Sequence, residues 1–321
     1  MNMLVLGIDL GGTKLALAIF DSGGSILKKE SVALGSRSGK EVGKLITEKV
    51  SEFRKHVSLQ GDMIGATGIS VPGIFHIGSG KVWAPNIPGW EDYPLMDEMK
   101  KTFPDIHVTV DSDRACCMSG EVWKGNAENC QNAVFLAVGT GIGAGILVNG
   151  EILRGSHDIA GAIGWMALNR PFEHKYINCG CFEYYASGEG IARVAREILE
   201  REIDYTGELR NINPEEISSY DVFSAYQYQD PVAVQVISLC VDYWGMAVAN
   251  LVSLFNPEKI ILGGGIFGPA IQLIPAIREE AFKWAQPVSI NQVTIQQSGL
   301  GGEAAVYGAA YLALKSILKD R

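Results

Sequence analysis

The stretches DLGGTK (9–14) and VGTGIGAG (138–145) decide how this chain is read. Each follows an apolar run and returns at once into another, LALAIF (15–20) after the first and the GILV of 145–148 after the second. A glycine turn between two apolar runs is the pattern of a β-hairpin. Successive backbone N–H groups in such a turn converge on an anion, because glycine admits positive φ and lets phosphate oxygens come close. Thr13 adds a hydroxyl and Lys14 a cation, and Asp9 at the strand end suits a magnesium ion held through water. Gly11, Gly12, Gly139, Thr140, Gly141 and Gly143 complete the two loops, which are expected to close on one polyanionic ligand from opposite sides.

Working outward, residues 3–8 read as a strand, 15–20 as its hairpin partner, and the turn at Asp21–Gly24 leads into a third strand. An amphipathic helix is expected over 39–58, a strand over 64–73, a Gly/Pro-rich excursion to about 93 and a helix near 94–103. IHVTVDSD (106–113) reads as a strand running into the helix ACCMSGEVW. Residues 133–155 then repeat the opening, with an Asn149-Gly150 pair suited to a two-residue hairpin. Residues 156–186 look irregular and 187–228 helical, and Asp230-Pro231 is an N-cap and first-turn pair for a long helix to about 255. A third glycine turn ends NPEKIILGGG (256–265), and after a strand at 292–298 a small-residue helix closes the chain.

VGTGIGA also satisfies GxGxxA, the dinucleotide fingerprint, but that motif must open a helix, and the Asn-Gly turn that follows argues for a hairpin. No GxxxxGK[ST] loop is present. With 321 residues the chain has length for two lobes, and a net charge of −9 without a basic stripe excludes a nucleic-acid partner. No uninterrupted apolar run of 18 residues points to a membrane span. MNMLVLGIDL lacks a basic region and reads as a strand rather than a leader, so a cytoplasmic protein is expected. Six cysteines at unpatterned spacings build no disulfide framework.

Taken with VPG (71–73), APNIPGW (84–90), the last aspartate of VDSD (110–113), GCFE (180–183) and GAA (308–310), these glycine turns make the chain resemble the ROK family of bacterial sugar kinases and sugar-responsive repressors along essentially its whole length. The resemblance implies an α/β, two-lobed actin-like ATPase (ribonuclease H-like) fold with duplicated β-β-β-α-β-α-β units. Residues 1–118, completed by the helix 303–321, would form the N-terminal lobe, and 119–302 the C-terminal lobe. It implies ATP and Mg2+, a sugar or sugar-like polyol as phosphoryl acceptor, and a homo-oligomer, dimer or tetramer. Asp113 falls where the family keeps its catalytic base, and Gly264 and Gly265 where it lines the adenosine site. Gly73, Asn86, Ser112, Asp113, Trp165 and Glu183 fall at acceptor positions. With no helix-turn-helix before DLGGTK, the kinase branch is favoured over the repressor branch.

The chain departs from the family at the acceptor side. Ser112 replaces an Asn, and GAIGW (161–165) stands where relatives show GEIGH, so that Ala162 and Trp165 replace two groups that grip hydroxyls near the anomeric carbon. Charge-assisted hydrogen bonds contribute about 1.5–3 kcal/mol each, which makes glucose a poor best substrate. The same histidine and three cysteines usually hold zinc. Here His174 and Tyr176 take the first two cysteine positions and only Cys181 fits; His174, Cys179 and Cys181 are the residues left for an improvised site, and zinc is not expected. Trp165, Phe172, Tyr176 and Phe182 are expected to pack this loop instead, while His157 and Asp158 are further polar candidates beside it. The eroded acceptor motif leaves a non-catalytic sugar or nucleotide sensor as the alternative to a kinase.

Overall fold

Strand β1 (Met3–Leu10) is buried on both faces: Leu4, Leu6, Ile8 and Leu10 face one core and Val5 the other, which is what a central strand requires. In this computed structural model, which describes residues 3–319, β2 (Lys14–Phe20) and β3 (Ile26–Ala33) follow antiparallel to it. Then come α1 (Gly39–Ser58), β4 (Met63–Val71), a small hairpin of β5 (Ile74–His76) and β6 (Lys81–Trp83), α2 (Leu95–Thr102), β7 (His107–Ser112) and α3 (Asp113–Lys124). The sheet order is β3-β2-β1-β4-β7, with β4 and β7 parallel to β1.

The second half is built the same way. It comprises β8 (Ala133–Val138), β9 (Ile142–Val148), β10 (Glu151–Ile152), α4 (Cys181–Ala186), α5 (Gly188–Arg201), α6 (Ser219–Gln227), α7 (Pro231–Phe255), β11 (Lys259–Gly263), α8 (Ile274–Trp284), α9 (Pro287–Ile290) and β12 (Thr294–Gln297). Its sheet order, β10-β9-β8-β11-β12, reproduces the first sheet strand for strand, with β8–β9 antiparallel and β11 and β12 parallel to β8. The third strand of the repeat has shrunk to two residues. Before it, Asn149 and Gly150 both take positive φ, 52° and 77°, as the two-residue turn demands.

Contacts divide the chain into a first unit, made of the residues up to Asn129, Ile152–Ala160 and those from Gly302 onward, and a second made of Cys130–Glu151 and Gly161–Gly301. The division falls after α3 rather than at 118 because α3 packs along α10 (Ala304–Lys319). The outermost expected residues, 1–2 and 320–321, lie outside the described ones.

Helix α7 organises the second unit. Asp230 caps it, its carboxylate accepting the N–H groups of Val232 and Ala233 at 3.0 Å, and Pro231 fills the first turn where no N–H is needed. Contrary to expectation, this helix is long and apolar enough by composition to cross a membrane. Its apolarity is spent on the core: Val236, Ile237, Tyr243, Trp244, Val248 and Leu251 are buried, and the Trp244 indole N–H donates to the Ala186 carbonyl at 3.0 Å.

Helix α10 sits flush on the first sheet and on α3. A Cβ at Gly7 would collide with the Val306 carbonyl oxygen, one at Gly68 with that of Ala309, one at Gly120 with that of Ala304, and one at Gly308 with that of Cys116. Only glycine allows these backbones to touch. Gly308→Ala is therefore expected to destabilise by about 1–3 kcal/mol through overpacking, despite alanine's better helix propensity; a lowered midpoint in urea unfolding is the check, and an unchanged midpoint would contradict the contact.

Candidate functional site

The carboxyl ends of parallel strands are where open α/β sheets bind ligands. In the first unit β1, β4 and β7 end together, and the register places Asp9 beside Ser70 and Ser70 beside Asp111. The Ser70 hydroxyl donates to Asp9 Oδ1 at 2.8 Å. Burial pushes the Asp9 carboxyl up, with the Ser70 bond and the Lys14 charge pulling it partly back. Beside it the β1–β2 turn is closed by Gly11 N–H donating to the Lys14 carbonyl at 2.9 Å, and Gly12, Thr13 and Lys14 are exposed. Asn86 lies next to this turn, its Cβ 3.5 Å from where a Cβ on Gly12 would be.

Asp113 is the first residue of α3, set there because Ser112 is the cap: its hydroxyl accepts the Ala115 N–H at 3.3 Å. Ser112 is thus buried and engaged with its own helix rather than simply presented as a polar contact. The Asp113 side chain is 47% exposed, and Arg114 Nε lies 3.9 Å from its Oδ1. The same oxygen accepts the Arg114 backbone N–H at 2.8 Å, and the N–H of Asp113 itself also bonds to the carboxylate. Loss of water is the largest influence on this carboxyl, Arg114 opposes it and the Asp9 charge adds to it; the pKa is raised to about 6. Arg114 also reaches the Gly73 carbonyl through Nη2 at 3.4 Å, which brings Gly73 next to Asp113.

Two features of this unit escaped the sequence. Asp111 is buried, and its Oδ2 pairs with Arg154 Nη2 while Oδ1 accepts the Ser112 N–H at 2.8 Å. That pair fastens residues 152–160 to the end of β7. Asp158 does not offer its carboxylate to the loop beside GAIGW; its Oδ2 accepts the Ile77 N–H at 3.2 Å, with its own φ at 60°.

In the second unit the β8–β9 turn is closed by Gly139 N–H donating to the Gly141 carbonyl at 2.9 Å, and the Gly188 N–H at the start of α5 donates to the Gly139 carbonyl at 2.7 Å. The expectation of positive φ fails in both hairpins: Gly11, Gly12, Gly139, Gly141 and Gly143 all lie outside that region, and Gly143 is a strand residue paired with Ala137. Positive φ is used instead at Gly264, at +90°, where a Cβ would also collide with the Val138 carbonyl. Gly139 differs again: no atom lies within 4 Å of its Cβ position. The fold demands glycine at 264 and not at 139. Gly265 follows Gly264 into a short helical turn, 3.8 Å by its Cβ position from the hydroxyl of exposed Tyr220.

Glu183 projects from α4 onto the same turn, its Oε2 accepting the Ile142 N–H at 2.6 Å. Gly141 and Gly164 make room for that carboxylate, since a Cβ on either would stand within 3.0 Å of it. Burial raises the Glu183 carboxyl, and the Ile142 N–H and the Arg193 charge lower it. Trp165 sits on a short helical turn (Ile163–Trp165) with its side chain 57% exposed, and Phe172 is exposed as well. Of the four aromatics expected to pack this segment, Tyr176 and Phe182 alone are buried. His174 is exposed, Cys179 half-buried and Cys181 buried; among the described residues no group of three His, Cys, Asp or Glu side chains gathers into a metal site.

Ser70 stands out only through strand pairing, whereas Arg114 adjoins Asp113 in the sequence itself. The sequence profile of the ROK family matches residues 5–316. A glucokinase from Halalkalibacterium halodurans is 33% identical over 316 residues, covering 96% of this chain and 94% of that protein. A xylose repressor from Caldicellulosiruptor bescii is 27% identical, covering 98% of this chain and 79% of the repressor. The crystal structure of a ROK family glucokinase from Streptomyces griseus, in complex with glucose and AMPPNP, superposes with a TM-score of 0.79 at 27% identity, covering 97% of this chain and 99% of that one. The doubled sheet with its glycine turns at the strand ends is therefore the actin-like ATPase architecture, and the chain belongs to the ROK family.

Proposed function

We propose that this protein is an ATP-dependent kinase that transfers the terminal phosphate to a hydroxyl of a sugar or sugar-like polyol, with glucose not its best substrate. The observation that carries the reading is Asp113: a half-exposed carboxylate at a strand–helix junction, with the Asp9 charge near it and a pKa raised to about 6. A general base works best with a pKa near the working pH. Asp113 Oδ2 would take the proton of the acceptor hydroxyl as that oxygen bonds to the terminal phosphorus, and the bond from phosphorus to the bridging oxygen breaks to release ADP. Arg114 holds Oδ1 and keeps the carboxylate turned.

Asp9 fits a magnesium site by its donor chemistry. Its carboxylate is deprived of water, accepts one hydroxyl, and makes no hydrogen bond through its second oxygen among the described residues. A magnesium ion there, retaining most of its waters, would offset charge on the phosphate oxygens. The two hairpin turns and the Gly264–Gly265 turn are the phosphate and nucleotide elements in this reading, and Glu183, Asn86 and Gly73 serve the acceptor. Ala162 and the exposed face of Trp165 suit an altered C1–C2 end, a cyclitol or a bulkier sugar derivative. Six free cysteines agree with a cytoplasmic location.

Similarity to a xylose repressor and the lost polar groups at 162 and 165 keep a non-catalytic sensor in view. Measuring ADP release over hexoses, amino sugars and cyclitols separates the two: a kinase turns over at least one acceptor, a sensor none. Asp113→Asn is expected to lower kcat by roughly a hundred- to ten-thousand-fold. In the wild type kcat/KM should fall with acid as Asp113 protonates, about tenfold per pH unit once below about 6. Gly139→Ala, which meets no protein atom, should leave the melting temperature unchanged and raise the KM for ATP by about tenfold. Gly264→Ala, strained and clashing, should lower the melting temperature.

A further inference from the structure

The segment from 162 to 180 has little regular structure to hold it: two three-residue helical turns, Ile163–Trp165 and His174–Tyr176, and no strand. Helix α4, which carries Glu183, has six residues, too few for a helix to stand alone. Against them lies an aromatic cluster. Tyr176 and Tyr184 pack edge to face at 5.7 Å, Tyr184 and Tyr185 at 5.1 Å, and Tyr185 stacks on Tyr243 of α7 at 4.7 Å.

At the centre of the cluster is a cation. Lys175 Nζ lies 5.5, 5.1 and 5.2 Å from the ring centres of Tyr176, Tyr184 and Tyr185, and 3.2 Å from Glu173 Oε2. Glu173 in turn accepts the Tyr176 hydroxyl at 2.9 Å, and the Tyr176 and Tyr185 hydroxyls meet at 2.9 Å. Three ring faces and one carboxylate surround this ammonium in a cage of the kind that recognises alkylammonium ligands, here filled from within the chain, and the Arg193 guanidinium lies over the Tyr184 ring as well, at 4.5 Å. Burial disfavours the Lys175 charge, and the Tyr185 hydroxyl and Glu173 outweigh it, so its pKa ends above the ordinary value.

We propose that Lys175 is a positioning residue: its ammonium draws Tyr176 of the acceptor segment and Tyr184 and Tyr185 of α4 around one charge, and so holds Glu183 on the second glycine turn. The linkage is short. Glu183 precedes Tyr184 on α4, and the Gly180 N–H, just before α4, donates to the Tyr176 carbonyl at 2.8 Å. Gly180 packs on Trp165 and Gly164 so closely that a Cβ would collide with both. Loosening the cage frees the helix whose first turn aims Glu183 at Ile142. The inference rests on the reading of Glu183 as an acceptor contact.

The test is Lys175→Ala, which removes the ammonium and leaves space for propylammonium, with 1-propanol as the uncharged control and Lys175→Arg as the variant that keeps the charge. Lys175→Ala should raise the KM for the acceptor by about tenfold and that for ATP by distinctly less. Propylammonium should restore it and propanol should not, and Lys175→Arg should stay near the wild type. Propylammonium should also raise the melting temperature of Lys175→Ala and leave that of the wild type alone. Equal rises in both KM values, or rescue by propanol as good as by propylammonium, would overturn the proposal. If the wild-type protein turns over no acceptor, the kinase reading fails, and the melting-temperature comparison still decides whether the cage holds a cation.

Discussion

Backbone touches backbone where α10 lies on the first unit, and the placement of the carboxylates follows from that contact. Four glycines, Gly7 on β1, Gly68 on β4, Gly120 on α3 and Gly308 on α10 itself, bring carbonyl oxygens to where side chains would otherwise stand. Close-packed interiors transmit such constraints with little give. With α10 pressed on β1, β4 and α3 together, the ends of the strands and the first turn of α3 have one arrangement. Asp9 is then fixed near enough to raise the cost of ionising Asp113.

Three carboxylates at this edge have three environments, and environment assigns their parts. Asp111 is buried and answered by Arg154, which ties down a distant stretch of chain. Asp9 is deprived of water with a single hydroxyl donor, a state that favours a cation nearby. Asp113 is half open, with one oxygen accepting the Arg114 N–H, an environment that suits the general base proposed for it. The three acidic residues at this edge are thus divided by their neighbours rather than by residue type.

The second unit solves a different problem. Its Glu183 must be held by a short helix beside a segment with little hydrogen-bonded structure, and the chain supplies rings and one lysine ammonium to do so. An ammonium among rings is non-directional compared with tetrahedral coordination, so it tolerates sequence change at individual ligands. Tyr243 carries the cluster down onto α7, whose apolar composition is the unit's core rather than a span.

The order of strands and helices apart from the β5–β6 hairpin and α4, the doubling of the sheet, the cap at Asp230 and the position of Asp113 at a strand–helix junction could all be read from the chain. Each is a local signal: a period of two or 3.6, a turn residue, or a cap one to three positions from what it caps. What glycine does in each turn could not be read, because φ at Gly139 and Gly264 depends on what lies against them. Ser70 beside Asp9 and Arg154 on Asp111 were likewise decided in three dimensions. Their partners come from strand register or from packing across tens of residues, and the energy of a charge in its surroundings is set by all neighbours at once, whatever their distance along the chain.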